Sequence, residues 1–377
     1  MNEKEIAELR RHIRPDRSSI THVRGCYVNE SREIIAQFDQ SLALMTQEEA
    51  DKFLALLRKT LSGTVGKNLI DIAFETRQVV DSDEHRLLMA LRNSKLQDEG
   101  AVQELFRRCI STLEMEGNYL LLLASDAYDV PFKSGDGEKQ ADAGSGEVFN
   151  YILCCACPVK LTKPALSYQV QSNEFRERQM DYLVSAPEVG FLFPAFDERS
   201  TNLYNALYYT KDTAISRSEF VDMLFRTPAP MPAAEQKETF QNVLGEALGD
   251  ECSYEVVQSV HQQLRGLVQE HKENHETEPL KISRKTVSQV LSGCGVSERR
   301  AQEFASRYDE AFGDDADLSP VNLVDLKQVE MKTPDVTIKV NPERADLIKT
   351  EMINGFKYIL IRADEGVEVN GVNITIN

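Results

Sequence analysis

The chain has 377 residues, 41% of them apolar and 28% charged, with a formal net charge of −18. That length is about twice a typical domain, so two or three domains are expected, each able to bury a core. Nucleic acid and anionic lipid both repel so acidic a chain at long range. No apolar run approaches the roughly 18 residues of a membrane span, and the absence of Trp weakens any base-stacking reading.

Residues 1–17 carry a charged helix pattern with Arg10, Arg11, Arg14 and Arg17 and without the apolar stretch of a secretory leader. Ile20–Asn29 reads as a strand. Thr46 and Glu49 have capping-box spacing and open a helix whose buried stripe is Phe53, Leu56, Leu57 and Leu61. Asn68–Val80 reads as a strand, and Ser82 opens a further helix. Val102, Leu105, Phe106, Cys109, Ile110 and Leu113 form one helical face that ends at Gly117. Cys109 sits within that stripe, which marks it as a packing residue.

The most apolar run follows, Phe149–Tyr168, between the apolar runs Tyr119–Tyr128 and Glu188–Tyr209. It is apolar on both strand faces: Tyr151, Leu153, Cys155 and Cys157 on one, Ile152, Cys154 and Ala156 on the other. A strand buried on both faces belongs inside a sheet, here spanning roughly Asn118 to Tyr209. Pro158, which cannot donate to a ladder, is its expected stop. Lys133–Gly146 has no apolar residue beyond alanine and reads as a flexible hairpin loop or small lid.

Beyond Asp212 the pattern turns helical, with helices expected at Ser216–Arg226, Ala233–Leu248, Ser253–Glu270, Ser283–Leu291 and Ser297–Phe312. Thr227–Pro232, His271–Pro279 and Gly313–Pro320 read as linkers. The end is β again: Asn354-Gly355 and Asn370-Gly371 are two-residue hairpin signals. The expected architecture is α+β, a mixed and largely antiparallel sheet core flanked by helices. Its expected parts are an α+β sheet domain over 1–226, a helical segment over 227–317 and a small β-rich domain over 318–377.

No motif names a chemistry. The seven cysteines are an odd number at apolar positions, as expected of reduced thiols in a cytoplasmic protein. The run Cys154–Cys157 lacks the paired CxxC spacing of a zinc site, and His271 and His275 lack the neighbouring acid of a metalloprotease helix. Leu61–Asn68 lacks the glycine spacing of a phosphate loop. No metal and no cofactor are therefore expected. The best catalytic candidate is the polar cluster Asp197, Glu198, Arg199, Ser200, Thr201 and Asn202, between two apolar runs where strands end; its plain alternative is a turn with Ser200 or Thr201 capping a short helix. The nucleic-acid candidates are Arg10, Arg11, Arg14 and Arg17, together with Lys281, Arg284, Lys285, Arg299 and Arg300. The second group flanks a Gly295-Val296-Ser297 turn placed as in a helix-turn-helix, with a generic helical hairpin as the alternative.

The blocks Arg58–Asn68, Gly117–Pro131, Tyr151–Tyr168, Gly190–Tyr209 and Val336–Ile374 together resemble, over nearly the full length, a bacterial family of unknown function found mainly in Gram-positive anaerobes. That resemblance implies no activity. In layout alone the chain is also similar to the bacterial nucleoid-associated protein family, and no functional residue carries over from it. The reading is a non-enzymatic interaction protein, with nucleoid association as its sharper form. A protein partner or self-association is expected, nucleic acid is disfavoured by charge, and no membrane is expected. The rival is an enzyme of unknown reaction with its site around Asp197–Asn202.

Overall fold

The computed structural model describes residues 1–131, 147–178, 180–274, 276, 278–314, 316–364 and 366–375. The expected lid, Lys133–Gly146, lies outside the described residues. Two compact units emerge: Met1–Ala234 with Thr277–Pro279, and Glu235–Glu276 with Leu280–Asn377.

The first unit contains helices α1 (Glu3–His12), α2 (Gln47–Lys59), α3 (Thr76–Asp81), α4 (Asp83–Asn93), α5 (Glu99–Thr112) and α6 (Ser218–Phe225). Its strands run from β1 (His22–Val28), β2 (Ile34–Ser41) and β3 (Leu69–Ala73) to the long pair β4 (Tyr119–Val130) and β5 (Glu147–Leu161). There follow β6 (Ala165–Gln169), β7 (Glu174–Arg178), β8 (Tyr182–Val184), β9 (Val189–Phe193), β10 (Ala195–Asp197), β11 (Ser200–Asn202) and β12 (Asn205–Thr210). The main sheet has the order β2–β1–β4–β5–β9–β12–β3, and all of these pairs are antiparallel.

Helices cover both faces. Ile152, Cys154 and Ala156 enter one core with Leu88, Leu105 and Phe225 of α4, α5 and α6. Tyr151, Leu153, Cys155 and Cys157 enter the other with Leu9 of α1 and Leu54 and Leu57 of α2. The two-faced apolar run is therefore the centre of the sheet, as its sequence required. Gly190 allows β9 to lie close to β5, because a Cβ there would stand 2.5 Å from the Cys154 carbonyl oxygen.

Two expectations need correction, and one strand was not expected. Pro158 does not stop β5, which continues to Leu161. Pairing with β9 ends at Ala156 and pairing with β8 begins at Val159, so the missing N–H falls where the strand changes neighbours. Asn68–Val80 is not one strand: β3 ends at Ala73, and Gln78 Oε1 accepts the Glu75 N–H at 2.8 Å as α3 begins. The edge strand β2 has no counterpart in the sequence reading.

Helix α7 (Ala233–Leu248) leads into the second unit, where α8 (Tyr254–Glu273), α9 (Arg284–Gly293), α10 (Glu298–Phe312) and α11 (Pro320–Leu323) follow. Phe240, Leu244, Leu264, Leu291, Phe304 and Tyr308 build its core. Three separate antiparallel hairpins come next: β13 (Val329–Lys332) with β14 (Thr337–Val340), β15 (Ile348–Ile353) with β16 (Phe356–Ile361), and β17 (Val367–Val369) with β18 (Val372–Ile374). The last two turn at Asn354-Gly355 and Asn370-Gly371, whose φ values of 52° and 84°, and of 51° and 86°, suit the left-handed geometry this dipeptide tolerates.

Candidate functional site

The polar cluster Asp197–Asn202 folds as a hairpin. β10 pairs with β11, and Glu198 and Arg199 make the turn at φ 50° and 60°. The plain alternative was right about the turn, but a strand rather than a capped helix follows it. Two non-glycine residues in that region are strained by roughly 1 kcal/mol or more each, so surrounding contacts must hold them.

Those contacts reach three other elements. The Met1 amine lies 2.6 Å from Asp197 Oδ1 and 3.2 Å from Asp71 Oδ1. Burial alone would lower the pKa of that amine, and the two carboxylates outweigh it and raise it. Asn202 donates to Asp197 Oδ2 at 2.6 Å. Arg199 pairs with Glu8 of α1 at 3.1 Å and donates to the Pro131 carbonyl at 2.8 Å. Ser200 Oγ donates to Glu147 Oε2 at 2.9 Å, and the Thr201 N–H donates to Oε1 at 3.1 Å. Burial pushes the nearby Glu5 carboxyl up. The hairpin thus ties α1 to the start of β5. Cavities of about 740 Å³ beside Arg14 and Lys52, and of about 420 Å³ beside Ser19 and Asp126, open elsewhere, and no hairpin residue lines either.

The second of these cavities borders a polar group that the sequence reading missed. Asp126 of β4 is buried. Its Oδ2 accepts from Tyr151 Oη at 2.7 Å and lies 3.2 Å from His12 Nε2. Its Oδ1 accepts from the Ser19 N–H at 2.8 Å and the Ala127 N–H at 2.9 Å, with Ser19 Oγ at 2.8 Å. Burial would raise the carboxyl pKa, but His12 and the Tyr151 and Ser19 hydrogen bonds outweigh it and hold it below the ordinary value. The carboxylate stands between serine and histidine, so the histidine cannot take the serine proton, and a lowered pKa makes a poor base. This is a hub that stitches α1 and the approach to β1 onto β4.

The basic candidates fall into two groups on two different units. In the second unit Arg284 pairs with Asp309, and Arg300 pairs with Asp250 and Glu303. Lys281, Lys285 and Arg299 are exposed and make no ion pair among the described residues. The helix-turn-helix layout is present as α9 and α10, but α10 carries Glu298, Glu303, Asp309 and Glu310 beside its arginines. In the first unit Arg10, Arg11, Arg14 and Arg17 are all exposed, with Arg17 3.5 Å from Asp16 and Arg11 Nε donating to the Ala7 carbonyl.

Five of the seven thiols pack as core residues, while Cys252 is exposed and Cys294 half-buried. Cys26, Cys109, Cys154, Cys155 and Cys157 are buried, and the Cys155 and Cys157 sulfurs lie 3.8 Å apart. The Cys157 thiol and burial together push Cys155 well up. Among the described residues no three His, Cys, Asp or Glu side chains group as metal ligands. His275 lies outside them, and His271 stands 3.7 Å from Glu276. Among the same residues no helix is long and apolar enough to cross a membrane.

A family model described as a domain of unknown function, DUF4317, matches residues 1–372. The chain belongs to this family. The full-length resemblance to a family without an established activity therefore holds. No curated protein matches the chain.

Proposed function

We propose that this DUF4317 protein is a binding protein whose partner is another protein, not a catalyst. One observation carries the reading: Asp197, Arg199, Ser200 and Asn202 are engaged by the protein itself, through the Met1 amine, Glu8 of α1, the Pro131 carbonyl, Glu147 of β5, Asn205 and one another. A catalytic group must instead face a substrate-sized space. The C-terminal hairpins supply surface of the opposite kind. Ile353, Phe356 and Tyr358 share one face of the β15–β16 hairpin, and Val369, Val372 and Ile374 share one face of β17–β18, all of them exposed. Apolar and aromatic side chains gathered this way are typical of protein interfaces.

Nucleoid association has weaker support. Two of the five cations around α9 and α10 are paired with carboxylates, which leaves about three for phosphate contacts. Three contacts would give log K a slope near −2.7 against log salt, hence weak binding at physiological salt.

The test is affinity capture of tagged full-length protein from a lysate of its native cell, with and without nuclease, beside a Phe356→Ser/Tyr358→Ser variant. Proteins retained after nuclease and lost with the variant are the expected result. Capture that disappears with nuclease would instead assign the function to nucleic acid.

A further inference from the structure

We propose that the small cavity between the turn at residues 63–67, the end of β12 and the start of α6 binds an inorganic anion of chloride size. Such a site is independent of any protein partner.

The turn after α2 lacks the glycine spacing of a phosphate loop, yet it carries Lys67 to the end of the sheet. Asn68 Nδ2 donates to the Thr210 carbonyl at 3.0 Å, and the Thr210 N–H donates to the Asn68 carbonyl at 2.9 Å. The turn is thereby fixed to the end of β12. From there the chain passes Thr213 and Ser216 and enters α6 at Ser218. These segments border a cavity of about 20 Å³ lined by Lys67, Tyr208, Thr210, Thr213, Ser216 and Arg217, with Ile70, Val221 and Pro232 among its apolar walls. One water needs roughly 10–15 Å³ of such space. The cavity therefore admits one occupant the size of a water or a halide, and it is too small for a tetrahedral oxyanion such as phosphate.

Charge selects the occupant. Among the described residues no carboxylate lines this cavity, in a chain whose formal net charge is −18. Lys67 is half-buried and makes no ion pair among the described residues, and a cation drawn out of water without a partner is costly. The Arg217 side chain is only 7% exposed. It donates to the Glu114 carbonyl at 2.8 Å and stands 3.5 Å from Glu188, while its Nε has no hydrogen-bond partner. The guanidinium is thus only partly answered by the protein. Asp212, close by in sequence, turns its carboxylate to the Ala214 N–H at 2.9 Å. Burial pushes the Tyr208 hydroxyl up to about 12, so at neutral pH it is a phenol that can donate, as can the hydroxyls of Thr213 and Ser216. Ser216, Arg217 and Val221 also frame the first turn of α6, which has no side-chain cap and presents the positive end of its dipole. Two cations, several O–H donors and no acid complement an anion and repel a metal ion.

The experiment follows the chloride NMR line width and the thermal midpoint of the full-length protein as chloride replaces gluconate, an anion too large for the cavity, at constant ionic strength. Constant ionic strength keeps the general screening of an acidic chain the same throughout. The expected result is chloride line broadening that bromide competes away, and a midpoint that rises with the logarithm of chloride concentration. Both effects should be lost in Lys67→Met. Should that variant fail to fold, Thr213→Val takes its place and should reduce the broadening. Unbroadened chloride lines with equal midpoints in the two salts overturn the proposal and leave the cavity to a water. Broadening that survives the substitutions overturns it too, as does competition by phosphate but not by bromide.

Discussion

β5 and β6 follow one another in the chain, and both are strands with aromatic and aliphatic side chains, yet they end in opposite environments. From Phe149 to Cys157 nearly every residue of β5 is buried, whereas β6 and β7 contain no buried residue. Apolar content alone does not decide this. β5 has β4 and β9 at its edges and helices over both faces, so its continuous apolar run is covered all round. The antiparallel β6–β7 ribbon has only its own two strands, so its alternating pattern leaves one apolar face in water. The same contrast separates the central sheet from the C-terminal hairpins. Continuous patterns mark the scaffold here, and alternating ones mark strands with a face left in water.

That contrast is easiest to break by paired substitutions. Phe191→Ala, at the fully buried centre of β9, should lower stability by about 3–5 kcal/mol. Denaturant titration would read this, and a loss below 1 kcal/mol would mean the sheet is loosely packed. Gly190→Ala should cost about 1–3 kcal/mol, because the added methyl meets the Cys154 backbone oxygen rather than a side chain that can move aside.

Asp126→Asn should cost about 1–3 kcal/mol at neutral pH, since it weakens a buried acceptor that has several donors. Its pH dependence has a definite sign. The folded-state pKa is held below the unfolded value, so the unfolded chain takes up the proton more readily. The stabilisation is present above the unfolded pKa of about 3.9 and is lost as pH falls through the folded value. Acid unfolding of Asp126→Asn should therefore lose part of the steepness seen below about pH 4 in the wild type. Identical acid limbs would remove Asp126 from the account.

Thiol labelling sharpens the same comparison without any substitution. Cys252 is exposed and should react at once, and Cys294 is partly covered and should react more slowly. The five sheet-unit cysteines should react only after unfolding. The smallest effect belongs to the ribbon itself: Phe175→Ser, at an exposed position, should change stability by no more than about 0.5 kcal/mol.

Much of this fold was legible wherever a local signal coincided with the final contact. Thr46 and Glu49 do form the capping box, and both Asn-Gly pairs do turn hairpins. The two faces of Phe149–Cys157 divide between two cores as alternation requires. What escaped notice lacked such a signal. β2 is exposed nearly throughout, so burial never imposed a pattern on Ile34–Ser41. The Asp126 hub was invisible because His12, Ser19, Asp126 and Tyr151 come from segments far apart in the chain, and no spacing or motif links them. The Asp197–Asn202 cluster was found, but its composition could not say that Met1, Glu8 and Glu147 would occupy it.

The most direct test of the central claim sets the hairpin against the ribbons in one capture experiment. Tagged wild type, Ser200→Ala and Phe356→Ser/Tyr358→Ser would be recovered from the same lysate and their partners compared by quantitative mass spectrometry. The account predicts that Ser200→Ala keeps the wild-type set while the hairpin-face variant loses it. Loss of partners with Ser200→Ala, together with retention by Phe356→Ser/Tyr358→Ser, would contradict it.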